Sequence, residues 1–405
     1  MYPLVSLLGL VVLLVAAWLL GGRGRISWKT LISGVLLQFL LGLFILKTQV
    51  GLSIFAGARD LFVSIMATTN EGSRFVFGGL ADPDSVGFSF ATMVLPTIVV
   101  IGSLMAVLYH LGVIQLLVRG AAYLMVRVMG TSGAESLAAA ANVFAGQTEA
   151  PLVIKPYIQS MTRSELMSLM TGGMATVSGS VLGAYVTMGV DAGHLLSASV
   201  MSAPAALVCA KLLVPETEIP VTRGTVRLEL PRETSNVIDA AARGAGDGLK
   251  LALNVGAMLL AFIAIIAMLD AALGWAGGMF GYEELSLRGI FGVVFAPVAW
   301  LMGVPWADSG SVGSLLGIRL VANEIVAYQE MHEMILSGAL SPRAEVISTY
   351  ALCGFANFSS IAIQVGGIGS LAPGRRKEFA ALGIRCLVGG TMATMMTACV
   401  AGVLI

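Results

Sequence analysis

Apolar runs of about 20 residues, the length that crosses a bilayer, recur from one end of this chain to the other. The pattern predicts spans near 1–20, 31–47, 92–112, 165–190, 194–213, 249–272, 345–372 and 378–404. Two further segments are apolar on one side only. Residues 113–130 set Gln115, Arg119, Tyr123 and Arg127 four apart. One polar stripe on an otherwise apolar helix suits the lipid–water interface. Residues 51–78 read as a second amphipathic segment. Residues 286–304 are expected to be interfacial or half-inserted, because a full crossing there would carry Arg375–Lys377 to the outside.

Charge in the loops sets the orientation. Basic residues gather at Arg23, Arg25 and Lys29, at Arg119 and Arg127 with Lys155 and Arg163, between Lys211 and Lys250, and at Arg375–Lys377. The opposite loops hold Asp82, Asp84, Asp191, His194, Glu283 and Glu284. Eight spans with both termini outside satisfy this distribution. The first run lacks the basic region that precedes a signal peptide's apolar stretch, so it is expected to remain as a span.

A repeat organises the rest. Residues 131–165 and 309–345 are each a pair of short apolar arms around a polar centre, GQTE at 146–149 and NE at 323–324. Each ends in Arg-x-Glu, at Arg163/Glu165 and Arg343/Glu345. Each then runs into a span interrupted by small and polar residues, TGGMATVSGS (171–180) and CGFANFSS (353–360). Glycine and Ser/Thr/Asn clusters break helices, and irregular backbone at membrane depth must face protein or a cavity. The unit is span, interfacial helix, re-entrant hairpin, broken span, span. With three crossings per unit, the second copy enters from the opposite side, which is an inverted-topology repeat. The organisation is therefore 1–90 (two spans and an interfacial segment), 91–216 (first repeat), 217–248 (inner loop) and 249–405 (second repeat). The fold class is an all-α polytopic membrane protein with eight transmembrane helices and two re-entrant helical hairpins.

Composition supports the membrane reading: 57% of residues are apolar and 11% charged, against about 25% charged in soluble domains. The formal net charge is zero, which gives no basic field for nucleic acid. Cys209, Cys353, Cys386 and Cys399, with His110, His194 and His332, show no disulfide framework or metal-ligand spacing. No nucleophile–base pair points to an enzyme.

The chemistry sits at the hairpin centres and the broken spans. Glu149 and Glu324 occupy matching positions in segments that otherwise avoid charge, so each is expected to face a cavity and a partner. Gln147, Thr148, Asn323, Thr176, Ser178, Asn357, Ser359 and Ser360 surround them with donors and acceptors. That set suits a neutral polar solute. A dicarboxylate carrier would place arginine at the hairpin centres or breaks, where none occurs, and a passive channel fits the paired hairpins poorly.

The stretches GQTEAPLVIKPY (146–157), NEIVAY (323–328), GFANFSSIAIQVGGIGSLAPGRRKE (354–378) and SAPAALVCAKLLVPE (202–216) resemble the signatures of the concentrative nucleoside transporter family. The resemblance covers the chain from about residue 90 onward and fits the spans before it. It implies a homotrimer in a bacterial inner membrane that imports nucleosides such as uridine, cytidine or adenosine. By that resemblance Gln147 and Thr148 hydrogen-bond the base and Glu149 acts near it. Glu324, Asn357 and Ser360 hold the ribose hydroxyls, while Leu251, Phe355 and Val181 pack against the base. No cofactor is implied. The coupling ion is sodium, held by Asn142 and Thr176 with the backbone carbonyls of Ala145 and Val177; a proton is the alternative. Position 176 departs slightly from relatives that carry serine there, and threonine keeps the hydroxyl.

Overall fold

A computed structural model describes residues 1–82, 85, 89–224, 234–282 and 285–405. Asp84, Glu283, Glu284 and residues 225–233 of the expected inner loop lie outside the described residues. Apart from an isolated bridge between Ser132 and Arg223, the described chain is helical and irregular, with no strand.

Helices α1 (Tyr2–Leu20) and α2 (Trp28–Lys47) are the first two apolar runs. Thr48 then caps α3 (Gln49–Phe77) by accepting from Gly51 N. The chain turns so sharply here that a Cβ at Gly51 would lie 1.9 Å from Phe44 O. The first repeat follows as α4 (Leu95–His110), α5 (Val113–Met129), the hairpin of α6 (Gly133–Asn142), α7 (Ala150–Val153) and α8 (Lys155–Ile158), the broken pair α9 (Arg163–Ala175) and α10 (Gly179–Thr187), and α11 (Ala192–Leu213). The second repeat has the same order: α12 (Val237–Gly278), α13 (Leu287–Leu301), the hairpin of α14 (Trp306–Val321) and α15 (Glu324–Leu336), the broken pair α16 (Pro342–Leu352) and α17 (Phe358–Leu371), and α18 (Arg376–Leu404).

Among the described residues, eight helices are long and apolar enough to cross a membrane. Seven coincide with expected spans. The eighth, Gln49–Ala81, falls on the segment expected to be interfacial. The expected span 345–372 is the broken pair α16–α17, whose arms are each too short to cross alone. Helix α13 meets α14 at a 117° bend and packs along it; a Cβ at Gly313 would sit 2.8 Å from Ala296 N.

One boundary differs from expectation. The inner loop 217–248 becomes helical at Val237, and α12 runs unbroken for 42 residues. At 1.5 Å per residue that is roughly 63 Å, about twice the hydrocarbon thickness. The sequence NVIDAAARGAGDGLK explains the extension. Asn236 caps it by accepting from Asp239 N at 2.9 Å, alanines favour helix, and no proline intervenes. Its charged residues lie outside the apolar stretch and did not mark the end of the helix.

Burial separates two kinds of element. The broken pair α9–α10 is 94% buried across its apolar window, whereas α12 is 17% buried. Helices α9, α11 and α18 form the core, with small residues permitting close approach: a Cβ at Gly390 would meet Met174 Cβ at 2.6 Å. Helices α4 and α12 form a separate pair on the same principle. Gly102 lies against Gly244 and Gly248, and a Cβ at Gly248 would come 2.8 Å from Val99 Cα. Small residues four apart are the usual route to tight packing in lipid.

Candidate functional site

Caps build the site. A broken helix leaves orphan N–H groups at the start of its second arm, and short polar side chains satisfy them. Ser178 Oγ accepts from Val181 N to start α10, and Asn357 Oδ1 accepts from Ser360 N at 2.9 Å to start α17. Asn323 Oδ1 accepts from Val326 N at 3.0 Å at the second hairpin's turn. Thr162 and Glu165 form a reciprocal capping box at the start of α9. The Arg-x-Glu that closes each hairpin is thus the first turn of the following half-helix.

The second-repeat half is tightly paired. Glu324 is buried; its Oε1 accepts from Tyr185 Oη at 2.9 Å and its Oε2 from Asn357 Nδ2 at 3.1 Å. Ser359 Oγ donates to Asn357 Oδ1 at 2.7 Å. Ser360 then reaches the first repeat, accepting from Gln147 Nε2 at 3.0 Å. Gln364 Nε2 donates to Gln147 Oε1 at 3.0 Å and to Met170 O at 3.1 Å, so both ends of the Gln147 amide are held. Of the expected substrate residues, Gln147, Glu324, Asn357 and Ser360 form one connected polar group. Phe355 is half-buried beside it, and its N–H donates to Thr176 O at 3.3 Å, joining the two breaks.

The other expected residues sit at the margins. Thr148 and Glu149 are exposed. Glu149 Oε2 accepts from Gly146 N at 3.1 Å, a bond within its own turn. The Thr148 methyl lies over Gly367, 3.4 Å from where a Cβ would stand. Val181 is buried on α10, and Leu251 is half-buried on α12.

The residues expected to hold the cation gather where α6 ends opposite the first break. Asn142, Ala145, Thr176 and Val177 are all buried. Asn142 Nδ2 donates to Ala138 O at 2.9 Å, and Thr176 Oγ1 donates to Gly172 O at 2.9 Å. Gly179 N donates to Phe144 O at 3.0 Å and ties the two loops together. Asn142 Oδ1 is buried without a hydrogen-bond partner. A buried orphan oxygen beside irregular backbone carbonyls fits a hard cation, which takes oxygen ligands and releases no proton on binding.

Two site residues escaped the sequence reading. Gln364 is fully buried and lies four residues after Ser360, on the face that also carries Asn357. Tyr185, also buried, lies four after Val181 on α10. The i, i+3, i+7 spacing of 357, 360 and 364 marks one helix face, and would have found Gln364 once α17 was started at its cap.

With this geometry, the family can be read from known proteins. Three family models tile the chain: Na+ dependent nucleoside transporter N-terminus over 8–80, nucleoside recognition over 91–192, and Na+ dependent nucleoside transporter C-terminus over 194–402. The chain belongs to the Na+ dependent, concentrative nucleoside transporter family. An uncharacterized transporter of Haemophilus influenzae is 45% identical over 100% of this chain and 98% of its own length. Sodium/nucleoside cotransporter 1 of Mus musculus is 44% identical over 99% of this chain, which spans 64% of that longer protein. Among solved structures, CNTnw in an inward-facing substrate-bound state matches with a TM-score of 0.94, 46% identity and coverage of 100% of this chain and 98% of that one. A variant of CNTnw in an outward-facing state matches with a TM-score of 0.95. Members of this family are carriers, not enzymes.

Proposed function

We propose that this protein is a sodium-driven symporter that imports nucleosides by alternating access. The observation that carries the substrate assignment is the buried pairing of Glu324 with Asn357 at 3.1 Å, where the second hairpin meets the second break. A carboxylate beside an amide can receive two vicinal hydroxyls with few lone pairs left over. Gln147, held between Ser360 and Gln364, presents an amide at the next position for a base edge. Thr148 and Glu149, open to solvent, complete the base end, with Leu251, Val181 and Phe355 as its apolar walls. Free nucleobases are expected to compete poorly, because buried groups built for hydroxyls go unsatisfied without them.

The orphan Oδ1 of Asn142 supports sodium, with Thr176 and the carbonyls of Ala145 and Val177 completing the ligands. One sodium ion moving down the potential contributes roughly 2.3 kcal/mol per 100 mV, beyond its concentration gradient. The packed pair α4–α12 is the fixed scaffold, against which the hairpins and broken helices move. The carrier sits in a bacterial inner membrane as a homotrimer with both termini outside; exposed Leu253, Leu260, Ile263 and Met268 on α12 face lipid or a second copy.

The test is uptake of radiolabelled uridine into proteoliposomes holding only this protein, under an inward sodium gradient, an inward proton gradient or none. Sodium-dependent accumulation blocked by cold adenosine but not by uracil supports the reading. Accumulation on protons alone removes the sodium site, and no uptake by folded protein removes the substrate assignment.

A further inference from the structure

The two half-helix ends that the repeat brings together are treated oppositely. A helix C-terminus carries about half a negative charge on its unpaired carbonyls. At the end of α9 the polar groups nearby are neutral: Thr176 folds back on Gly172 O, Gln364 donates to Met170 O, and the side-chain atoms left unpartnered are oxygens, Asn142 Oδ1, Gln364 Oε1 and Thr171 Oγ1. The end of α16 is closed by a full positive charge. Arg319, wholly buried, sends Nη1 to Ala351 O at 2.5 Å and to Thr394 Oγ1 at 2.8 Å. Tyr328 Oη donates to the neighbouring carbonyl of Thr349 at 2.9 Å. Arg319 Nε and Nη2 are left unpartnered here, together with the neutral hydroxyl of Ser348 one turn earlier on α16. Among the described residues no carboxylate stands within ion-pair distance of the guanidinium.

Arg319 lies in the last turn of α14, the first arm of the second hairpin, and Asn142 lies in the last turn of α6, the first arm of the first hairpin. Each reaches the C-terminal end of the half-helix that follows its own hairpin. A guanidinium cannot lose its proton at any physiological pH, and one buried at membrane depth is costly unless its charge is used.

We propose that Arg319 is a tethered cation that stands, in the second repeat, where the first repeat takes sodium. It screens the carbonyls of the broken helix permanently, so the second repeat recruits no ion and one sodium accompanies each nucleoside. This rests on the sodium reading of the Asn142 site. It also separates the roles of charge: Arg319 and Glu324 are opposite charges fixed in the protein, and the translocated charge is the sodium alone.

Simultaneous fluxes of radioactive sodium and tritiated uridine through the wild-type protein in proteoliposomes give the ratio directly, and one sodium per uridine is expected. A ratio of two overturns the inference while leaving the sodium-coupled reading intact. Uridine flux indifferent to sodium sinks that reading itself. Arg319→Met then removes the charge at similar volume. Its sodium activation curve is expected to steepen from a Hill coefficient near one towards two, with half-activation shifted more than tenfold upward, and Arg319→Lys is expected to keep the wild-type curve. A folded Met variant with the wild-type sodium curve, or with no transport at any sodium concentration, means that Arg319 only packs. If the Met variant does not reconstitute, the wild-type ratio and the Lys curve decide.

Discussion

The two hairpin turns share a topology and place their carboxylates in opposite circumstances. Glu149, in the first, is exposed and, among the described residues, its carboxylate is bonded to Gly146 N in its own turn. Glu324, in the second, is buried and receives Tyr185 and Asn357 from two other elements. The arms differ as well. The first hairpin returns through two four-residue helices, α7 and α8, while the second has arms of 16 and 13 residues. Longer arms bring Glu324 to a junction of three elements, whereas the short irregular turn of the first hairpin leaves Asn142 Oδ1 unpaired. On the proposed reading, a duplicated fold has diverged into one half that takes hydroxyls and one that takes a cation.

Exchanging or deleting these groups should split the halves. The largest effect is expected from Glu324→Ala: two hydrogen bonds from hydroxyls to a charged acceptor are worth roughly 2 kcal/mol each, so kcat/KM for uridine should fall about a thousandfold. A fall of less than tenfold would remove Glu324 from the ribose. Asn142→Ala should raise the sodium concentration for half-activation by about tenfold or more, as loss of one charged-ligand contact implies, measured by uridine uptake across a sodium series. Gln364→Leu leaves the Gln147 amide unheld and Met170 O unpaired. At about 1 kcal/mol for a neutral bond, its uridine KM should rise five- to tenfold with half-activation by sodium unchanged. The smallest effect belongs to Glu149→Gln, which keeps an acceptor for Gly146 N in an exposed position; a KM change within about threefold is expected, in line with a neutral surface bond. A Glu149→Gln loss rivalling that of Glu324→Ala would erase the contrast.

Much of this was legible before any coordinates. Apolar run length located seven of the eight candidate spans, and the polar interruptions at 171–180 and 353–360 located both breaks, because a helix cannot pass TGGMATVSGS or CGFANFSS without exposing backbone. Four of the expected binding residues, Gln147, Glu324, Asn357 and Ser360, came from the hairpin centres, the second break and the family resemblance, and they share one network. What was hidden is instructive. Helix α12 begins at Val237 because helix propensity outlasts hydrophobicity; charge marked where the membrane ends, and the helix continues. Gln364 and Tyr185 looked like ordinary members of apolar helices, since their partners come from 217 and 139 positions away. Arg319 belongs to no motif that the sequence singled out. Only the packing of α14 against α16 and α18 shows that it ends on Ala351 and Thr394.

On the proposed reading the first half reads sodium and the second reads the nucleoside, with each binding event favouring the other. Linkage makes this measurable in the purified protein without transport. Equilibrium binding of tritiated uridine would be compared in sodium and in choline, for the wild type and for Asn142→Ala. The expected result is tighter wild-type binding in sodium, and an Asn142→Ala protein that, at the sodium concentration half-activating the wild type, binds uridine with nearly the affinity it shows in choline. An Asn142→Ala protein that keeps the full sodium enhancement would contradict the assignment.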